Sequence, residues 1–102
     1  MREINSQDYE NVINEKNIVV VDFWAPWCPT CRMMMPNLEK MEAEYADVLF
    51  CKMDIVENEQ FAKDNQVSTL PTVIFYKDGK EVERTTGFAQ RVKLSAIIDG
   101  LK

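Results

Sequence analysis

The segment Ile18-Val19-Val20-Val21-Asp22-Phe23-Trp24 limits the fold more than any other stretch of the chain. It is β-branched and aromatic, and its apolar residues do not alternate with polar ones. A run of this kind is a strand buried on both faces, in the middle of a sheet. Such a sheet needs a covering layer on each side. The chain has 102 residues, of which 46% are hydrophobic. That suits a single domain over residues 1–102 and leaves no room for two.

The rest of the chain supplies the layers. Met1 to Ile4 reads as a short edge strand. Ser6 is placed to cap a short helix that carries Tyr9, Val12 and Ile13 on one face. From Cys28 to about Tyr45 the pattern turns helical, with Met34, Leu38, Met41 and Tyr45 spaced by three and four. Pro36 lies inside that helix and should kink it. Val48 to Ile55 is a second apolar strand, and Glu57 to about Asp64 a short helix. Thr72 to Tyr76 and Glu81 to Thr86 are strands joined by an Asp78-Gly79 hairpin turn. Gly87 ends the second of them, and Val92 to Leu101 is an amphipathic helix. The order β-α-β-α-β-α-β-β-α predicts an α/β fold: a mixed sheet, parallel early and antiparallel at its end, with helices on both faces.

Charge and composition exclude several functions. Twelve basic residues against seventeen acidic give a net charge of −5, so there is no basic footprint for nucleic acid or an anionic membrane. No apolar run exceeds the four residues of Ile18 to Val21, far short of a membrane span. The N-terminal residues Met1 to Asp8 contain no apolar signal core, which points to a cytoplasmic protein. His is 0, which removes imidazole from any acid–base, nucleophile or zinc site.

Cys28 and Cys31 form a C-x-x-C at the point where the buried strand's loop enters the helix. Free N–H groups of the first turn and the helix dipole favour a Cys28 thiolate and lower its pKa. Cys31 falls on nearly the same face, so the two sulfurs can close a small ring. One thiolate can attack a disulfide and the other can resolve the mixed disulfide, with no cofactor. Half of a metal knuckle and an inert buried pair are the competing readings. Cys51, with no His, leaves a closed zinc site one ligand short unless an acid or a second chain completes it. No metal is therefore expected.

Asp22 lies inside the apolar run. Buried there it must be protonated or paired, with a raised pKa, unless it reaches water from the strand end. We expect it to exchange a proton with Cys31. Lys52 is the nearest charge partner, or else its ammonium extends to solvent along an aliphatic stem. Pro71 precedes a strand, either in a cis turn or as a trans entry residue. Cys51, Trp24 and the run Met33-Met34-Met35 read as packing, and Trp27 as a partly exposed contact surface.

These residues together resemble the thioredoxin family over nearly the whole chain. The resemblance is carried by Val21-Asp22-Phe23-Trp24-Ala25, Trp27-Cys28-Pro29-Thr30-Cys31-Arg32, Pro36, Lys52, Leu70-Pro71-Thr72, Lys77-Asp78-Gly79 and Gly87. It implies the thioredoxin fold and a protein-disulfide reductase that carries electrons as a monomer. By the same resemblance Cys28 is an exposed nucleophile and Cys31 a buried resolving thiol. Asp22 is a buried acid with Lys52 beside it, and Pro71 is a cis-proline facing the disulfide. Leu70 would pair its backbone with substrate, while Trp27, Pro29, Thr30, Gly87 and Phe88 would complete the contact surface, although small residues are usual at the last position. The implied partners are protein disulfides and a thioredoxin reductase, either an NADPH flavoprotein or a ferredoxin-dependent enzyme. A disulfide oxidant or isomerase, and a non-catalytic binding module, are the alternatives.

The sequence departs from the family at Pro29-Thr30, where Gly-Pro is usual. With Cys28 as N-cap, proline falls at N1, where a missing N–H costs little. The Thr30 and Cys31 amides are then both expected to face the Cys28 sulfur, with the Thr30 hydroxyl as a further donor. An added bond to a charged acceptor is worth about 1.5–3 kcal/mol. Fully expressed, that makes the couple more oxidising by about 30–60 mV than Gly-Pro would.

Overall fold

A computed structural model describes Met1–Lys102 in full. Its strands are β1 (Arg2–Glu3), β2 (Ile18–Trp24), β3 (Val48–Asp54), β4 (Thr72–Lys77) and β5 (Lys80–Thr86). Its helices are α1 (Tyr9–Val12), α2 (Pro29–Glu44), α3 (Glu59–Asp64) and α4 (Arg91–Leu101). The spatial order is β1-β3-β2-β4-β5. β2 runs parallel to β3 and antiparallel to β4. The apolar run therefore occupies the middle of a mixed five-stranded sheet, and its residues from Ile18 to Phe23 are all buried.

Alternation along β2 sorts the core into two layers. Val19, Val21 and Phe23 join Val12, Ile13 and Ala62 under α1 and α3. Ile18 and Val20 join Met34, Leu38, Met41, Leu94 and Ile98 under α2 and α4. Each large apolar side chain so buried contributes about 1.5–3 kcal/mol before the entropy of ordering it is subtracted. The helical spacing of α2 is met by Met34, Leu38 and Met41, which are fully buried. Met33 is 63% exposed, so the three methionines do not share one packing role. Pro36 sits inside α2 without ending it.

The start of α1 differs from expectation. Asp8, not Ser6, is the N-cap, and no side chain caps it. Asn5 Oδ1 accepts the N–H groups of Gln7 (2.9 Å) and Asp8 (3.0 Å), closing a local turn of its own. The Ser6 N–H donates instead to Asn58 Oδ1 (2.9 Å).

The Asp78-Gly79 turn forms as expected, with φ of +52° and +79°, the two left-handed residues of a type I′ hairpin. Past it, Tyr76 pairs with Glu81 and Phe75 with Glu83, so Val82 is an extra residue that bulges β5. Gly79 also approaches Asn14, whose Oδ1 would lie 2.2 Å from an added Cβ. Asn14 can swing away only by giving up the bond from its Nδ2 to the Glu10 carbonyl, and the positive φ cannot be relieved at all. Gly79→Ala is expected to cost about 1–2 kcal/mol in chemical denaturation.

Candidate active site

The loop after β2 and the first turn of α2 place the two cysteines. Cys28 is the N-cap, extended at φ −96° and ψ 106°, and Pro29 follows as the first helical residue. The sulfurs of Cys28 and Cys31 are joined as a disulfide, with 5.3 Å between the α-carbons. Around them pack Trp24, Ala25, Ile55 and Leu70.

The donors at the Cys28 sulfur are not quite those anticipated. The Cys31 N–H donates to it at 3.2 Å, and the Thr30 Oγ1 lies 3.4 Å away. The Thr30 amide makes no such bond; the cap side chain takes the third amide of the turn. The gain over Gly-Pro therefore comes from one hydroxyl, not from a second amide. Accessibility also differs from expectation. Cys28 is 3% exposed and Cys31 is 1% exposed, so the two thiols are distinguished by their partners more than by their access to solvent. The Ala25–Leu70 surroundings, with the disulfide itself, cover Cys28.

The Leu70–Pro71 peptide is cis. Pro71 is buried, and Leu70 is partly buried against the cysteines. The Gly87 N–H donates to the Pro71 carbonyl at 2.7 Å, which ties the end of β5 to the loop beside the disulfide. Gly87 holds φ +78°, a conformation that costs glycine least. Next to it, Phe88 is 45% exposed, and Trp27, beside Cys28, is 66% exposed. Pro29 and Thr30 are exposed as well.

Asp22 is fully buried, on the sheet face that α2 covers, and neither carboxyl oxygen has a hydrogen-bond partner in the protein. Burial pushes its pKa up from 3.8 to about 7. The Lys52 charge works against that rise and the Glu3 charge adds to it. Lys52 is in register with Asp22, yet its ammonium reaches Glu3 Oε1 at 3.7 Å and lies 5.2 Å above the Trp24 ring. Trp24 is thus half-buried beneath a cation, with its indole N–H unpartnered, and is not a plain core residue. Cys51 is buried in the opposite layer, where burial raises its thiol to about 11.

Three contributors went unnoticed in the sequence. Ile55 packs on the cysteines. Asp54, itself buried, accepts the Val56 N–H at 2.7 Å and so shapes the turn that carries Ile55. Glu3 takes the Lys52 ammonium. Only Asp54 left a signal, as an acid at the end of an apolar strand ahead of Asn58.

A disulfide-forming pair at a helix N-terminus, with a backbone amide donating to the first sulfur, defines a thiol–disulfide oxidoreductase. Thioredoxin-2 of Saccharomyces cerevisiae is 42% identical over 84 residues, covering 81% of this chain and 81% of that protein. The thioredoxin of Staphylococcus aureus is 36% identical over 99 residues, covering 94% and 92%. The crystal structure of Fasciola hepatica thioredoxin matches with a TM-score of 0.91 at 42% identity over 100% of both chains. Oxidised mitochondrial thioredoxin 3 of Saccharomyces cerevisiae matches at 0.90 and 34% identity, covering 98% of this chain and 94% of the other. The thioredoxin family profile matches residues 1–100, and the chain belongs to the thioredoxin family. It is a protein-disulfide reductase that works by dithiol–disulfide exchange through Cys28 and Cys31, and a thioredoxin reductase returns it to the dithiol. No helix is long and apolar enough to cross a membrane.

Proposed function

We propose the following division of labour at the site. Cys28, as thiolate, attacks one sulfur of a protein disulfide. A Cys28–substrate disulfide forms, and the other substrate sulfur leaves as thiolate. Cys31 then gives its proton to Asp22 and attacks the Cys28 sulfur. That closes the Cys28–Cys31 disulfide, releases the second substrate thiolate and completes a two-electron transfer. Lys52 tempers the charge on Asp22. Trp27, Pro29, Thr30, Leu70, Pro71, Gly87 and Phe88 receive the substrate chain. The exposed rings of Trp27, next to Cys28, and of Phe88, next to the Gly87 that bonds the Pro71 carbonyl, support that assignment.

The observation that carries the roles of the two thiols is the Cys31 amide donating to the Cys28 sulfur at the head of a 16-residue helix. A fixed donor and the positive end of the helix dipole both favour charge on that sulfur. After reduction, iodoacetamide at neutral pH is expected to label Cys28 much faster than Cys31 and faster than a simple cysteine peptide. Equal rates would remove the assignment. Thr30→Val deletes the hydroxyl and is expected to slow the labelling. It should also lower the reduction potential by about 20–30 mV in equilibration with glutathione, less than a buried bond would give because Thr30 is exposed.

The proposed setting is the reducing cytoplasm, where thiols of this kind stay available, with the 1–102 domain carrying electrons as a monomer. Reduction coupled in parallel to an NADPH-dependent flavoprotein reductase and to a ferredoxin-dependent one identifies the donor.

A further inference from the structure

Three ionisable side chains stand in one row across the sheet. The β1–β3 register pairs Glu3 with Lys52, and the β2–β3 register pairs Lys52 with Asp22. Residues paired in register project from the same face. One cation therefore stands between two carboxyl groups, one at the sheet edge and one in the interior. It can serve only one of them well.

The ammonium is drawn to the edge. Lys52 Nζ lies 3.7 Å from Glu3 Oε1 and 5.2 Å from the centre of the Trp24 ring. Asp22 makes no ion pair, and both of its oxygens are without partners. The physical preference is plain. At the edge the cation keeps water and gains a carboxylate and an aromatic face. Moving inward would strip both ions of hydration, and the interior offers little to compensate. The β4 residue in register with Asp22 is Val73. Over that face α2 buries Cys31, Met34 and Leu38, and α4 buries Leu94 and Ile98. Of the side chains these helices bury there, only Cys31 titrates; Glu42 of α2 pairs with the Met1 amine at 3.0 Å, and Tyr45, at the end of α2, packs against the same layer only in part.

We propose that Glu3 is a positioning residue for the exchange reaction: by holding the Lys52 ammonium at the sheet edge, it keeps Asp22 free of an ion pair and able to accept the Cys31 proton. The inference deepens the role given to Asp22 above and rests on it. An Asp22 clamped by Lys52 would be a fixed carboxylate, too weak a base for a thiol. A base serves best when its proton affinity matches the working pH. The repulsion between the Glu3 charge and Asp22 acts in the same direction.

The test reads the Asp22 carboxyl carbon by NMR against pH in the oxidised protein. Glu3→Gln is expected to lower its titration midpoint by about 0.5 pH, a roughly threefold loss of proton affinity. Lys52→Met is expected to raise the midpoint. In the Lys52→Met background, Glu3→Gln should move it by less than about half as much, since no cation is left to release. An unmoved midpoint in Glu3→Gln would overturn the proposal. So would equal shifts in the two backgrounds, which would reduce Glu3 to a distant charge. The second arm is the pH profile of protein-disulfide reduction, whose acid limb should move with the midpoint in Glu3→Gln but not in the Asp22→Asn background. If the midpoint moves and the profile does not, the proton-accepting role of Asp22 fails and the proposal with it. The electrostatic link among the three residues would still stand, so the two failures are distinguishable.

Discussion

Asp22→Asn is expected to make the protein more stable at pH 8, by about 2–4 kcal/mol in urea denaturation, while slowing its chemistry. The native carboxyl holds its proton up to about pH 7, against an ordinary value of 3.8. An acid whose folded pKa is raised binds protons on folding. Its contribution is fully favourable below pH 3.8, falls as pH rises between 3.8 and 7, and is level above that. A shift of this size corresponds to about 4 kcal/mol at 1.36 kcal/mol per pH unit. Part of the gain is lost because a buried amide also wants partners, and Asp22 has none to offer it. The clearest signature is therefore the slope. Wild-type stability should decline from about pH 4 to about pH 7, and the variant should lack that component. A parallel decline in both proteins would mean that the Asp22 carboxyl keeps an ordinary pKa in the native state and is already ionised well below neutral pH.

Cys31→Ser is expected to convert the protein from a turning-over reductase into a trap. Its Cys28 can still attack, since the donor of the first-turn bond is the backbone of residue 31 and not its side chain. Nothing then remains to displace the captured chain, so a Cys28–substrate disulfide accumulates and steady-state reduction falls to the background of free dithiol. Non-reducing electrophoresis and mass spectrometry of the reaction with a disulfide-bonded protein should show one adduct per molecule. Cys28→Ser should show neither turnover nor adduct. An adduct formed by Cys28→Ser through Cys31 would reverse the assignment of the two thiols. Cys51 should not substitute for either, buried as it is with its thiol raised to about 11.

Local signals carried most of the fold. The apolar run became β2 residue for residue, Cys28 became the cap of α2 with Pro29 next to it, and Asp78-Gly79 took the two positive φ values that its turn requires. Each follows from the chemistry of a few neighbouring residues. Structure departs from local pattern where competing partners decide the outcome. Ser6 had the chemistry of a cap, but Asn5 closed its own turn first. The Thr30 amide had the right sequence position, yet the Cys28 sulfur met the Cys31 amide and the Thr30 hydroxyl instead. Lys52 was correctly placed beside Asp22, yet its ammonium turned to Glu3, a residue brought alongside only by the register of β1 on β3. Register between strands distant in sequence is a property of the assembled sheet, which is why Glu3 left no trace in the linear text.

The extra residue in β5 has one more consequence. A protein that acts on the disulfides of other polypeptides meets chains able to add themselves as another strand. The outer margin of β5 is interrupted at Val82 and studded with Lys80, Glu81, Glu83 and Arg84, a combination that discourages continuation of the hydrogen-bond ladder. At the other margin β1 spans only Arg2 and Glu3, too little template for a stable graft. Visiting polypeptides are thereby denied the flanks, and the molecule can meet them repeatedly without seeding a fibre on itself.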